Sequence, residues 1–218
     1  MSHLKRQEIP KKWPIERKGT AYLVRPTFNF KEGLPLLIIL REMTNLSQNR
    51  REAKQIVHNR QILINGKPAK DEKHTILLFD TLNVLPLKKC YRLELSGNGK
   101  FYLNEIKESE SLKKVAKVIN KKMLKGKKIQ LNLSDGRNFL SDFKCNVNDS
   151  VLINLKEAKI EKCLPLKEKN KALVFLGKHV GKIGEILEIN LERKMIKMKS
   201  EDKELNVLIN QMMVIDNE

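Results

Sequence analysis

Residues Leu34–Pro68 constrain this chain more than any other stretch, because they set a helix, a second capped helix, a strand and a tight turn in close succession. Leu34–Met43 reads LPLLIILREM, apolar almost all round, which predicts a buried helix. The chain passes through Thr44–Gln48 and restarts at Asn49, where Asn49-Arg50-Arg51-Glu52 has the form of a capping box. At roughly 100° per residue, Ala53, Ile56 and Val57 share one side of the helix that follows. Arg50, Arg51, Lys54, Gln55 and His58 gather on the other. Gln61–Asn65 is short and β-branched, and Asn65-Gly66 is a two-residue hairpin signal. One face of this unit packs and the other presents cations and amides, a layout that suits a folded RNA surface. The same residues also read as an ordinary amphipathic helix with a solvated charged face.

The charge balance of the whole chain bears on its partner. Lysine and arginine exceed the acids to give a formal net charge of +18 and a pI near 9.8. Such an excess repels itself in a compact state and makes sense beside a polyanion, nucleic acid first and an anionic membrane surface second. The 218 residues allow one large domain or two to three small ones, and with 5% aromatic residues each core must be small and aliphatic. No apolar run approaches the roughly 20 residues of a membrane span, and the N-terminus lacks the apolar stretch of a signal peptide. Cys90, Cys145 and Cys163 are isolated and without metal-ligand spacing, which fits reduced, packed thiols in a cytoplasmic protein. His3, His58, His74 and His179 lie in separate segments without a Cys or carboxylate at diagnostic spacing. No catalytic, metal or cofactor site is therefore expected.

Taken in order, Met1–Gly33 reads as a basic arm rather than a domain, either a disordered tail or an extended arm that orders against phosphates. Lys5, Arg6, Lys11, Lys12, Arg17, Lys18, Arg25 and Lys31 crowd it, Pro10, Pro14 and Pro26 forbid a long helix, and Trp13 is expected to anchor it on RNA. Thr75–Asp80 and Leu82–Leu87 complete a small sheet. Tyr91, Leu93 and Leu95 alternate with polar residues, Ser96–Gly99 turns the chain, and Phe101 and Leu103 return as a hairpin. Ser111 is predicted to begin a helix carrying Leu112, Val115, Ala116 and Ile119, with Lys113, Lys114 and Lys117 outside. Lys121, Lys122, Lys125, Lys127 and Lys128 extend the run, with no acid between Ser111 and Ser134. It is either a solvated face or a phosphate contact. Ile129–Leu133, Phe139–Leu140 and Val151–Leu155 read as β structure, as do Leu173–Leu176, Glu185–Ile189, Met195–Met198 and Leu205–Ile209, with Glu201-Asp202 at a turn and Met212–Ile215 as core or strand. The glycines of Gly177–Gly184 do not make a mononucleotide loop, since the spacing is short, Ser/Thr is absent and a strand follows.

Residues 50–71, RREAKQIVHNRQILINGKPAKD, resemble the alpha-L RNA-binding module on Arg50, Arg51, the Val57 region, Ile62–Ile64 and Asn65-Gly66-Lys67. His3–Arg6, Pro10–Trp13, Arg25-Pro26 and Leu34–Leu36, in that order, resemble the start of the small-subunit ribosomal protein number four family of archaea and eukaryotes. SDGRN at 134–138 and VNDSVLINL at 147–155 resemble that family's central domain, and Gly177–Gly184 resembles its KOW motif. Thr27–Gly33 replaces a longer family linker, and the KOW-like loop lacks a residue and an Asn.

The resemblance implies an α+β, mostly β fold: an arm over 1–33, an alpha-L module over 34–90, a central β-rich domain over 91–168 and an SH3-like KOW barrel over 169–218. It implies a structural constituent of the small ribosomal subunit in the cytoplasm, without catalysis or cofactor. Its partners would be small-subunit rRNA and neighbouring ribosomal proteins, with no membrane and no homo-oligomer. RNA contacts are expected at Lys5, Arg6, Trp13, Arg25, Arg50, Arg51, Lys54, Arg60, Lys67, Lys178, His179 and Lys182. A free alpha-L accessory factor and a KOW-bearing transcription factor are the alternatives.

Overall fold

The computed structural model describes residues 3–125, 128–140, 144–200 and 203–216. They form two compact units, one holding the residues up to Leu95 with Lys100–Leu112, the other Ser96–Gly99 with the residues from Lys113 onward. Lys127 and the Glu201-Asp202 turn lie outside the described residues.

In the first unit, the arm opens with β1 (Leu4–Lys5), paired antiparallel with β2 (Tyr22–Leu23). β3 (Leu34–Pro35) leads into α1 (Leu36–Ile38), which continues as a π-helical turn over Ile39–Met43. Every residue from Leu36 to Leu40 is buried, as an all-round apolar segment requires. α2 (Arg50–His58) starts at Asn49, whose side chain accepts the Glu52 N–H at 3.0 Å. The Glu52 carboxylate reaches back to the Gln48 N–H at 2.7 Å, one residue beyond the amide a capping box would use. Ala53 and Val57 face the core. The helix closes through Arg60 at φ 53°, with Gln61 N–H donating to the Ile56 carbonyl.

β4 (Ile62–Ile64) and β5 (Lys67–Pro68) flank Asn65-Gly66, both at positive φ (51° and 75°), the geometry a two-residue hairpin turn demands. β6 (Thr75–Ile76) pairs with β3, while β7 (Thr81–Val84), β8 (Lys89–Leu95) and β9 (Phe101–Ile106) extend the β4–β5 pair into one five-stranded sheet. The hairpin expected to open a separate central domain thus belongs to the first unit's sheet. Cross-strand pairing of β8 with β7 decides this, and composition around residue 90 carries no mark of it.

The arm is not a free tail. Trp13 is 2% exposed, and its indole N–H donates to the Gly33 carbonyl at 3.0 Å. Phe28 and Thr75 exchange two hydrogen bonds, and Phe101 N–H donates to the Lys12 carbonyl. The lone tryptophan therefore anchors the arm on its own protein rather than on RNA, because burying a large aromatic ring in an aliphatic interior outweighs leaving it in solvent.

The second unit contains two antiparallel sheets. The first is built from β10 (Lys113–Met123), β11 (Ile129–Leu133), β12 (Asn138–Leu140), β13 (Ser150–Asn154) and β14 (Lys159–Leu164), around a core of Val118, Leu131, Leu133, Cys145, Val151 and Ile153. The second holds β15 (Lys171–Val174), β16 (Ile183–Asn190), β17 (Met195–Ser200), β18 (Lys203–Leu208) and β19 (Met212–Val214), around Val174, Ile186, Ile196, Met198, Val207 and Met212.

β10 replaces the helix predicted from Ser111; only Glu110–Leu112 forms a single 3-10 turn. Pairing with β13 over Lys113–Lys117 overrides the helical spacing, and Val115, Val118 and Ile119 suit a strand. Lys114 and Lys117, expected outside, are 2% and 4% exposed. The Lys114 ammonium meets the Asp135 carboxylate at 2.8 Å. The Lys117 ammonium donates to the Met212 carbonyl at 2.8 Å and to the Ile209 carbonyl, and lies 5.9 Å from the centre of the Phe175 ring. With Val214 N–H donating to the Ser150 hydroxyl, it ties β10 to the second sheet.

Burial pushes the Lys117 ammonium down to about 8. An unfolded lysine titrates near 10.4, so between these values the unfolded chain binds the extra proton and stability rises with pH. Urea titrations at pH 7.5 and 10 should show a gain of up to about 3 kcal/mol in the parent relative to Lys117→Met. An equal pH response in both would refute the burial of the charge.

Candidate nucleic-acid interface

α2 holds the densest group of expected contacts. Arg51 is exposed and makes no ion pair or hydrogen bond with the described residues, whereas Arg50 is engaged. Its Nη2 and Nε both donate to one oxygen of Glu72, at 2.6 and 3.0 Å, and Lys54 Nζ stands 3.9 Å from the same oxygen. Glu72 is 3% exposed. Its burial acts to raise the carboxyl, but hydrogen bonds from Asp71 and Arg50 overcome this and hold it at about 2. Glu72 thus fixes the direction in which two of the helix's cations project. Its role was not legible in the sequence, where it is one acid in a loop between Asp71 and Lys73. A groove of about 460 Å³ runs beside the helix, lined by Lys54, His58, Lys70 and Glu72 among others.

The turn beyond the helix is held as firmly. Asn65 is buried, donating to Asp80 at 2.7 Å and accepting from the Thr81 N–H at 3.1 Å, so Lys67 stands exposed on a fixed hairpin. Arg60 is also exposed. In the arm, Arg25 and Lys5 are exposed, while Arg6 is turned onto its own chain. The Arg6 guanidinium donates to the Thr20 carbonyl at 2.7 Å, the Thr20 hydroxyl and the Glu16 carbonyl, closing the loop of the arm. Lys5, Arg6, Arg17 and Lys18 line a hollow of about 470 Å³ there. Trp13 is withdrawn from any such surface by its burial.

In the second unit, Lys178 is exposed, and His179 and Lys182 are half-buried in the loop between β15 and β16. The loop's glycines serve the protein itself. A Cβ at Gly184 would run into the Lys199 carbonyl on β17, and one at Gly177, where φ is 91°, would strike the Gln211 side chain. Both glycines permit a close approach to neighbouring backbone or side chain within the unit.

Among the described residues no group of three or more His, Cys, Asp or Glu could hold a metal, and no helix is long and apolar enough to cross a membrane. Cys90 and Cys145 are buried free thiols; burial and the nearby Cys145 and Asp149 push Cys163 up to about 12.

Comparison with known proteins gives this arrangement a context. A profile described as the S4 domain matches residues 35–82, and one described as ribosomal family S4e matches residues 87–160. The chain is 34% identical to the small ribosomal subunit protein eS4 of Methanocella arvoryzae, over 88% of this chain and 82% of that one. It is 35% identical to the protein of the same name from Nanoarchaeum equitans, over 86% and 82%. The crystal structure of the 30S ribosomal protein S4e from Thermoplasma acidophilum superposes with a TM-score of 0.72 at 25% identity, covering 84% of this chain and 95% of that one.

The Glu72 anchor yields a test within α2. A carboxyl held below its unfolded value contributes stability that is present above about pH 4.3 and lost as the pH falls toward 2. Glu72→Gln should lower stability at pH 6 by about 1 kcal/mol, discounted for the exposure of Arg50. It should also lose less than the parent between pH 5 and pH 2.5 in thermal melts. Identical acid profiles would separate Glu72 from the fold.

Proposed function

The chain belongs to ribosomal family S4e, and from that premise we propose that its exposed cations grip small-subunit rRNA. It is a structural constituent of the small ribosomal subunit, located on the cytoplasmic ribosome beside neighbouring ribosomal proteins, and performs no catalysis. The observation that carries this is identity of about a third sustained over more than four-fifths of relatives that are themselves small-subunit proteins. A free accessory factor or a transcription factor would share one module with this chain, whereas the likeness covers more than four-fifths of it.

The contact residues we assign are Lys5, Arg25, Arg51, Arg60, Lys67 and Lys178, each exposed. Arg50 and Lys54 contribute from the edge of the Glu72 anchor, with His179 and Lys182 from the β15–β16 loop. Arg6 supports the arm's shape and reaches RNA only with the part of its guanidinium the arm leaves open. Affinity comes largely from counterion release at phosphates. Recognition follows RNA shape and sugar-phosphate contacts, because the deep major groove of A-form RNA hides base edges.

The primary test is sedimentation. A tagged chain expressed in the source cell should run with small subunits through a sucrose gradient, and a chain that stays at the top is no subunit component. Arg51→Ala with Lys67→Ala should weaken rRNA binding and reduce the slope of log affinity against log salt by roughly one per cation removed. An unchanged slope would remove both residues from the interface.

A further inference from the structure

Beyond Val118, β10 leaves β13 and pairs with β11 alone, while β12 adds a third strand on the other side of β11. A register shift between Val118 and Asn120 sets Asn120 opposite Asn132, which stands in turn opposite Asn138. The next rung is Lys122, Gln130 and Leu140. Directly opposed residues project from one face of a sheet, and Leu131 and Leu133, one step out of phase, fill the core behind it. Asn120, Lys122, Asn138 and Leu140 are exposed, and Gln130 and Asn132 half-buried.

The polar groups of this face are only partly matched within the protein. The Asn120 side-chain oxygen accepts the Lys121 N–H at 2.8 Å, and the Asn132 oxygen accepts from Gln130 at 2.9 Å. The amide NH₂ groups of Asn120, Asn132 and Asn138 have no acceptor among the described residues. Lys122, Lys125 and Lys128 likewise have no anionic partner among them, and no acid occurs between Ser111 and Ser134. The next acid, Asp135, is occupied by Lys114 at 2.8 Å. An aligned row of amides with unmatched N–H donors, edged by cations, suits a partner that offers acceptors and negative charge.

We infer that the β10–β11–β12 face docks on the minor groove of an A-form RNA helix, its three asparagine amides donating to ribose 2′-hydroxyls. That groove is wide and shallow and displays the hydroxyls and sugar edges, which a three-stranded face can reach. Leu140 lies against the sugars, and Lys122 takes a flanking phosphate. The inference rests on the ribosomal reading above and adds to it a sugar-reading surface within the second unit.

The test uses the full chain and small-subunit rRNA transcribed from the source organism's gene. Asn120→Ala, Asn132→Ala and Asn138→Ala together should weaken binding roughly tenfold with the salt slope unchanged, since no charge is lost. Lys122→Ala should instead reduce the slope by about one. In 2′-hydroxyl acylation footprints, a run of riboses protected by the parent should become reactive in the triple variant. Asn120→Ala with Asn138→Ala, both at exposed positions, should give a smaller loss in the same direction should the triple variant melt early. Parent-like affinity and footprint in the variants, with rRNA binding intact, would overturn the platform and leave the ribosomal reading standing. Cross-links from Lys122 to an acidic protein neighbour in place of rRNA would overturn it equally. A parent chain that binds no small-subunit rRNA would instead overturn the ribosomal reading itself.

Discussion

Repulsion among cations is the constraint to which the rest of this structure answers. With 44 lysines and arginines against 26 acids, a compact chain holds like charges close together unless most of them stay at the surface. The few that go inside are each met. Lys114 finds Asp135, and Lys117 finds two backbone carbonyls and an aromatic ring. Glu72 buries its carboxylate against Arg50 and Lys54 on α2. Removing one partner of such an arrangement strands a charge in low dielectric, so each contact fixes geometry more than it adds stability.

The surface cations gain from the rigidity of what carries them. A lysine on a disordered tail loses freedom when it meets a phosphate, whereas one on a capped helix or a tight hairpin is placed beforehand. Arg51 sits on a helix capped by Asn49, and Lys67 on a turn whose Asn65 is bonded to Asp80 and Thr81. The arm follows the same logic. Trp13 and the Phe28–Thr75 bonds hold it on the first unit, so its cations are displayed by a folded surface.

Local patterns were legible where neighbours in sequence are also neighbours in energy. The cap at Asn49, the buried face of α2, the Asn65-Gly66 turn, the Tyr91–Leu103 hairpin and the core strand at Met212–Val214 all depend on a few consecutive residues. The segment from Lys113 carries apolar residues at helical spacing, while the pairing with β13 that makes it a strand lies more than thirty residues away. The burial of Lys114 and Lys117 was hidden for the same reason, since their partners Asp135, Ile209 and Met212 are distant in the chain. The candidate site divides likewise. α2 and its turn could be named from sequence, but the withdrawal of Trp13, the anchoring of Arg50 by Glu72 and the alignment of Asn120, Asn132 and Asn138 could not.

The sequence by itself determined that this chain carries a large positive excess, small aliphatic cores and a capped helix beside a hairpin, because composition and short-range hydrogen bonding need no distant partner. Only the tertiary structure decided which cations are consumed internally, which rung of amides faces outward and where one unit ends. Those outcomes follow from strand register and burial, and a single step in register moves a side chain from solvent to core.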